Sequence, residues 1–308
     1  MKGMILAAGY GTRLRPITHT LPKPMVPLCN RPLIDWAIES YHAAGVRDLI
    51  VNVHHLPDVI VRYLRERFDR VEISFEEEIL GTGGAIRRVR PLLENEEAFF
   101  LVNGDTVQFP RWGALRDALG DSIAALTLRH PPENDRFTPV HLASGRVTGF
   151  GKGHGEALMF AGSHLISTRI FEFLPDEEEF GIVDRVYQPL LDSGRESIAG
   201  IVDDGLWFDI GTPQRYASAS HALREAMIRG ELAMPAGSHV DGDSLVHEST
   251  TGHATRSIVG ARTTIHGDVR DSIIWDDCVI DGSVERCIVA HGARVEGTHR
   301  DEVIVGVK

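Results

Sequence analysis

The sequence predicts an α/β protein that ends in a small parallel β-helix, and three observations carry that expectation. From residue 1 to about residue 230, short apolar runs alternate with stretches of helical periodicity, the pattern of βαβ units in a layered sheet. From Ser257 onward the chain repeats with a period of 15 residues. Its 308 residues, 43% hydrophobic and 25% charged, provide for one large domain and a small one, or for two middling ones.

The first strand is expected at 3–8, where Met4, Ile5, Leu6, Ala7 and Ala8 form an apolar run that stops at Gly9 and Gly11. Further strands are expected at 49–53, 71–75, 98–103, 123–128, 146–150, 160–166 and 198–202. The run at 98–102 is continuously apolar, as a strand buried on both faces is. Helices are expected at 33–44, 57–68, 84–94, 110–119, 184–193 and 214–229. The third presents Ile86, Val89 and Leu93 on one face, and the last follows Thr212 as N-cap and Pro213 at the first helical position. The product is a Rossmann-like layered sheet, mixed but mostly parallel, with helices on both faces, over residues 1–232. Ligands of such sheets sit beyond the carboxyl ends of the strands, so the loops after strands are where chemistry is sought.

The repeat aligns Ile258, Ile273 and Ile288; Ile265, Ile280 and Val295; and Gly267, Gly282 and Gly297. Branched apolar residues in fixed columns, the second of them followed two positions later by the glycine column, describe stacked rungs of a solenoid. The solenoid is expected over residues 236–308, and Pro235 and Gly237 mark the junction before it.

After the first strand, Gly9, Gly11, Thr12 and Arg13 form a loop, and Lys23 stands between Pro22 and Pro24. Glycines let backbone N–H groups converge on an oxyanion, and Arg13 can fork onto phosphate oxygens. The prolines are expected to hold Lys23 on a stiff extended segment as a fixed point charge. GYGTRL has no third glycine for a dinucleotide fingerprint, and no Gly-Lys-Ser/Thr follows.

The string from Leu6 to Pro27, continuing to Pro32 and Ile34, resembles the signature of the sugar-nucleotide pyrophosphorylases, LAAGxGTRLxPxTxxxPKPxxPxxxxPxI. The resemblance implies that Leu6, Ala7, Ala8, Gly9, Gly11, Thr12 and Arg13 bind a nucleoside triphosphate. It also implies transfer of a nucleoside monophosphate to a sugar 1-phosphate, with Arg13, Lys23, Asp105 and Asp209 as catalytic residues. Mannose-1-phosphate guanylyltransferase is the best single expectation within the family; UTP- or dTTP-dependent members and a catalytically silent regulatory homologue are the alternatives. An acyltransferase, which hexapeptide solenoids often host, is disfavoured because no long loop interrupts the short rungs.

Four later segments complete the reading. In Val102-Asn103-Gly104-Asp105-Thr106-Val107, Asp105 follows an apolar strand, where an oxygen ligand for Mg²⁺ is wanted; Asn103 and Gly104 are assigned to the nucleotide. In Leu206-Trp207-Phe208-Asp209-Ile210-Gly211-Thr212, the match to the family's WxDxGT motif implies that Asp209 joins Asp105 on the metal. In Leu80-Gly81-Thr82-Gly83-Gly84, the resemblance to a base-covering loop implies nucleotide contacts from Gly81 and Thr82. Glu78, last of three consecutive glutamates, is placed to accept from guanine's two N–H donors. Where the family carries FxEKP for the sugar phosphate, this chain has Phe150-Gly151-Lys152-Gly153, leaving Lys152 for that role, while Gly162 matches a later segment near the sugar.

Composition limits the partners. A net charge of −12 argues against a nucleic-acid surface. Cys29, Cys278 and Cys287 are odd in number and widely spaced, which fits reduced thiols, and no CxxC or HExxH pattern suggests zinc. No secretory leader and no apolar run long enough to span a membrane is seen, so a cytoplasmic protein is expected. The histidines are not at metal-ligand spacing. The family resemblance extends to the solenoid, implying a left-handed β-helix, and stacked rungs that end in open apolar edges suggest a homo-oligomer through it.

Overall fold

The apolar runs of the first two hundred residues assemble into one nine-stranded sheet. In the computed structural model, which describes residues 1–133 and 137–306, the strands are β1 (Gly3–Leu6), β2 (Leu49–Val53), β3 (Val71–Phe75), β4 (Ala98–Asn103), β5 (Ala124–Arg129), β6 (Val140–Ala143), β7 (Arg146–Phe150), β8 (Glu156–Ser167) and β9 (Ile198–Val202). Their order is β3-β2-β1-β4-β8-β5-β9-β7-β6. β3, β2, β1 and β4 pair in parallel, as do β5 and β9, whereas β8 runs antiparallel to both of its neighbours and β7 to β9 and β6. The sheet is therefore mixed, and its parallel character is concentrated around β1.

This sheet belongs to one compact unit, Met1–Gly9 with Trp36–Trp207; a second unit comprises Tyr10–Asp35 with Phe208–Lys308. In the first, β2 and the first five residues of β4 are buried throughout, which is why their sequences read as apolar runs, interrupted in β2 only by Asn52. Tyr41 is buried and its hydroxyl donates to the Met4 carbonyl at 2.7 Å, tying the helix Leu33–Ala43 to β1. Trp112 stacks on Tyr41 at 5.0 Å and meets Phe100 edge-on at 4.8 Å, while its indole N–H donates to Ser40.

Several expected boundaries move for identifiable reasons. β1 ends at Leu6, two residues early. The helix expected at 84–94 begins at Gly81 and breaks after Arg88, because Pro91 cannot donate to the preceding turn; a separate turn, Arg90–Leu93, follows. The expected helix at 184–193 opens as a π-helical turn, Val183–Tyr187, before the α-helical Gln188–Asp192, with Pro189 again removing a donor. β8 extends over Glu156–Ser167, longer than its apolar core, because its early residues pair with β6.

In the second unit the 15-residue period is realised as rungs: Ile258 pairs with Ile273, Ile273 with Ile288 and Ile288 with Val303, all in parallel. Two further ladders run through Ile265, Ile280 and Val295, and through Val269, Val284 and His299. Val259, Ile274, Cys278, Ile280, Val284 and Val289 fill the interior. The hydroxyls of Ser244, Ser257 and Ser272 each accept from the backbone N–H of the following rung. The last two positions of the expected solenoid, 307 and 308, lie outside the described residues. Among those described, no helix is long and apolar enough to cross a membrane.

Candidate active site

In the first unit Leu6, Asn103, Gly104 and Gly162 come together at the carboxyl ends of β1 and β4. Leu6 stands opposite Asn103 across the parallel pair, and the Gly104 N–H donates to the Leu6 carbonyl at 2.9 Å. Gly104 is a glycine because a β-carbon there would stand 2.7 Å from that same oxygen. Asp105 follows, half-buried. Ala7 and Ala8 are buried beside them, and Gly9 is exposed.

A buried polar relay, not anticipated from sequence, fixes the backbone around these residues. Asn52 at the end of β2 accepts from the Ala7 N–H at 2.7 Å and donates to Glu76 at 2.7 Å; the other Glu76 oxygen accepts from the Leu80 N–H at 3.0 Å. Asn52 and Glu76 are 3% and 1% exposed, so both carboxylate oxygens are committed to holding the first strand's exit and the entry to the helix at Gly81. Of the three glutamates it is Glu76 that turns inward, while Glu77 and the singled-out Glu78 are exposed. The signal was Asn52, a polar residue inside the apolar run Leu49-Ile50-Val51-Asn52-Val53.

Gly81 and Thr82 are the first two residues of a helix, Gly81–Arg88, and not part of a loop before it. The cause is a packed neighbour: Phe180 N–H donates to the Leu80 carbonyl, Gly83 N–H to the Phe180 carbonyl, and Ile182 N–H to the Thr82 hydroxyl. A β-carbon on Gly83 would collide with the Phe180 ring. Lys152 is exposed in a turn where Thr148 bonds both the N–H and the carbonyl of His154.

In the second unit, Gly11 adopts φ +62° and leads into the 3₁₀ turn Thr12–Leu14, which carries Arg13 on the surface. Thr18 donates to the Gly11 carbonyl at 2.8 Å, and a β-carbon on Gly11 would lie 3.1 Å from that of Lys23. Lys23 begins a further 3₁₀ turn, Lys23–Met25, closed by the Met25 N–H on the Pro22 carbonyl at 2.8 Å. The expected extended segment is thus confined to Pro22: Pro24 sits at the second position of the turn, where its missing N–H costs nothing. Lys23 is only 7% exposed, so the turn and not an extended strand supplies its rigidity.

Asp209 ends a short strand, Trp207–Asp209, and Arg215 on the helix Pro213–Ile228 forms an ion pair with it. A β-carbon on Gly211 would lie 3.0 Å from each Asp209 oxygen and 3.2 Å from an Arg13 guanidinium nitrogen, so Arg13 and Asp209 converge on one point. Thr212 caps the helix by accepting from the Arg215 N–H at 3.2 Å, as expected. Arg215 itself, two residues beyond Pro213, was not anticipated.

A family model described as "Nucleotidyl transferase" matches residues 2–226. The chain belongs to the nucleotidyl transferase family. Among similar nucleotidyl transferases, mannose-1-phosphate guanylyltransferase 1 of Arabidopsis thaliana is 28% identical over 96% of this chain and 83% of its own length. Mannose-1-phosphate guanyltransferase of Eremothecium gossypii is 31% identical over 71% of this chain and 64% of its own. Among solved structures, HddC from Yersinia pseudotuberculosis complexed with GMP-PN superposes with a TM-score of 0.61 and 23% identity, covering 72% of this chain and 99% of that one. That likeness supports the fold.

Members of this nucleotidyl transferase family generally use a divalent metal, and the donors present suit one. Among the described residues no group of three or more His, Cys, Asp or Glu side chains could hold an ion. Asp105 and Asp209 offer hard carboxylate oxygens, and a metal that keeps its waters and takes substrate phosphates needs only one or two of these. Each carboxylate is by its chemistry a donor suited to a hard divalent cation.

Proposed function

We propose that the protein transfers a nucleoside monophosphate from a nucleoside triphosphate to a sugar 1-phosphate, with GTP and mannose 1-phosphate as the pair it uses. The signature from Leu6 to Ile34, together with Asp105 and Asp209, carries the reaction class. The pair is supported by relatives named for that activity, one matching over 96% of this chain. UTP or dTTP with glucose, N-acetylmuramate or heptose phosphate are the competing pairs.

A sugar phosphate is already largely dianionic at pH 7, so its oxygen attacks the α-phosphorus without a general base. The barrier is anion meeting anion, and the chain's task is charge neutralisation and in-line positioning. In this reading the loop from Leu6 to Arg13 holds the triphosphate, Asn103 and Gly104 the nucleoside, and Gly81 and Thr82 the base, with Glu78 accepting from guanine. Arg13 takes charge on the departing pyrophosphate, and Lys23 steadies charge developing at the α-phosphate. Lys152 and Gly162 face the sugar phosphate. Asp105 and Asp209 would ligate Mg²⁺, which when bound supplies Lewis-acid polarisation of the phosphate oxygens. The same reading takes 1–232 as the catalytic domain and 236–308 as a left-handed β-helix that pairs subunits, in a cytoplasmic protein.

Pyrophosphate release measured across four triphosphates and a panel of sugar 1-phosphates, with Mg²⁺, tests the proposal. Highest kcat/KM with GTP and mannose 1-phosphate is expected, and no release with any pair would sink it in favour of a silent regulatory homologue. Asp105→Ala and Lys23→Ala are each expected to lower kcat on the order of 10² to 10³-fold without unfolding the protein. Full activity in either removes that residue from the catalytic set.

A further inference from the structure

β8 carries an irregularity at the place where the sequence reads Ala161-Gly162-Ser163. Phe160 stands opposite Leu128 of β5 and His164 opposite Leu126, so three residues of β8 face one of β5. Such bulges re-aim side chains and occur preferentially beside active sites. Each of the three residues is engaged by a separate motif. The Ala161 carbonyl accepts from the Trp207 indole N–H at 2.9 Å. Gly162 is at φ +88°, and a β-carbon there would stand 2.7 Å from the Asn103 amide nitrogen, so Asn103 packs directly on it. Ser163 donates to the Gln108 side-chain oxygen at 3.0 Å.

From Ser163 the hydrogen bonds continue to the aspartate turn. The Gln108 amide donates to the Thr106 hydroxyl at 2.8 Å, and that hydroxyl donates to the Asn103 carbonyl at 3.1 Å, closing the turn that contains Asp105. Ser163, Gln108 and Thr106 are 0%, 4% and 6% exposed. Water therefore does not compete for these bonds, and the hydroxyl proton of Thr106 is directed at Asn103 because Gln108 occupies its acceptor side.

We propose that the β8 bulge and the chain Ser163–Gln108–Thr106 form a positioning device that sets the Asp105 carboxylate for a divalent cation. The inference rests on the reading above in which Asp105 is a metal ligand. Thr106, Gln108 and Ser163 are positioning residues: their side chains act on the cation only through the turn they hold. Partners of this kind typically govern metal affinity by roughly 10 to 100-fold.

The test is Mn²⁺ titrated into the intact protein with a non-hydrolysable triphosphate analogue, read as enhanced water-proton relaxation, alongside pyrophosphate release. Thr106→Val, Ser163→Ala and Gln108→Leu are expected to raise the half-saturating Mn²⁺ concentration roughly tenfold, leaving metal-free affinity for the analogue at the parent value. Thr106→Ser, which keeps the hydroxyl, should restore parent behaviour; a merely structural role would move analogue affinity and unfolding midpoint instead. Parent-like Mn²⁺ binding in folded Thr106→Val and Ser163→Ala, with Asp105→Ala impaired, overturns the inference. Parent-like binding in Asp105→Ala overturns the ligand reading and the inference with it.

Discussion

His164 shows how one buried side chain makes the fold sensitive to acid. Its ring is 2% exposed, meets Phe160 edge-on at 4.5 Å, and is hydrogen-bonded through Nδ1 to the Tyr187 hydroxyl at 3.0 Å. Burial pushes its pKa down from 6.5 to about 3, and the same burial pushes the Tyr187 phenol up. The unfolded chain binds the proton first, so His164 contributes its full stability above pH 6.5 and loses it as pH falls towards 3. Below pH 6.5 the loss is about 1.4 kcal/mol per pH unit. Urea midpoints for the parent and His164→Gln, at pH 7 and pH 5, should show the parent losing about 2 kcal/mol more than the variant. Equal losses would mean that other groups govern the acid limb. Burial acts similarly on Cys29, raising its thiol to about 12, so this residue is a packing element and not a nucleophile.

At the scale of elements, glycine columns and left-handed corners set the solenoid's tolerance. A β-carbon on Gly282 would collide with the Gly297 carbonyl, and one on Gly267 with the Gly282 carbonyl, so these glycines let consecutive rungs approach. The corners at Arg256, Asp271, Arg286 and Asp301 and at Arg262 and Asp277 carry positive φ, and arginine and aspartate pair along the stack. Left-handed backbone costs such residues roughly 1–2 kcal/mol, and an exposed pair returns roughly 0.2–1. Thermal unfolding should therefore find Gly282→Ala destabilised by several kcal/mol and Arg262→Gly within about 1 kcal/mol of the parent. Comparable damage from both would show that the ion pairs, not the glycine column, hold the rungs. Elements defined by local pattern were legible in sequence: strands 49–53, 71–75, 98–103, 146–150 and 198–202 are reproduced to the residue, as are the rung columns. What escaped depends on partners distant in sequence. The helix start at Gly81 is set by Phe180, the inward turn of Glu76 by Asn52, and the β8 bulge by Asn103 and Gln108.

At the scale of the whole molecule, the sequence reading separates a large domain from a solenoid near residue 235, yet the chain's second compact unit draws on both sides of that point. Tyr216 is fully buried, donates to the Pro27 carbonyl at 2.6 Å and accepts from the Trp275 indole at 2.9 Å. Asn30 donates to the Val259 carbonyl at 3.0 Å, and Arg224 to the Arg256 carbonyl. Cutting after residue 232 would strip Trp275 from Tyr216 and leave the Asn30 amide and the buried Arg224 without these acceptors. Uncovering aromatic surface of this size and orphaning those donors costs about 4 kcal/mol. A fragment of residues 1–232 should then unfold about 10 °C below the full chain and elute as aggregate near its midpoint, measured by thermal scans and size-exclusion chromatography. A fragment with the parent's Tm would instead mark the rungs after 236 as an appendage that the residues before it do not need, and the packing of Tyr216 on Trp275 as stabilising only the solenoid.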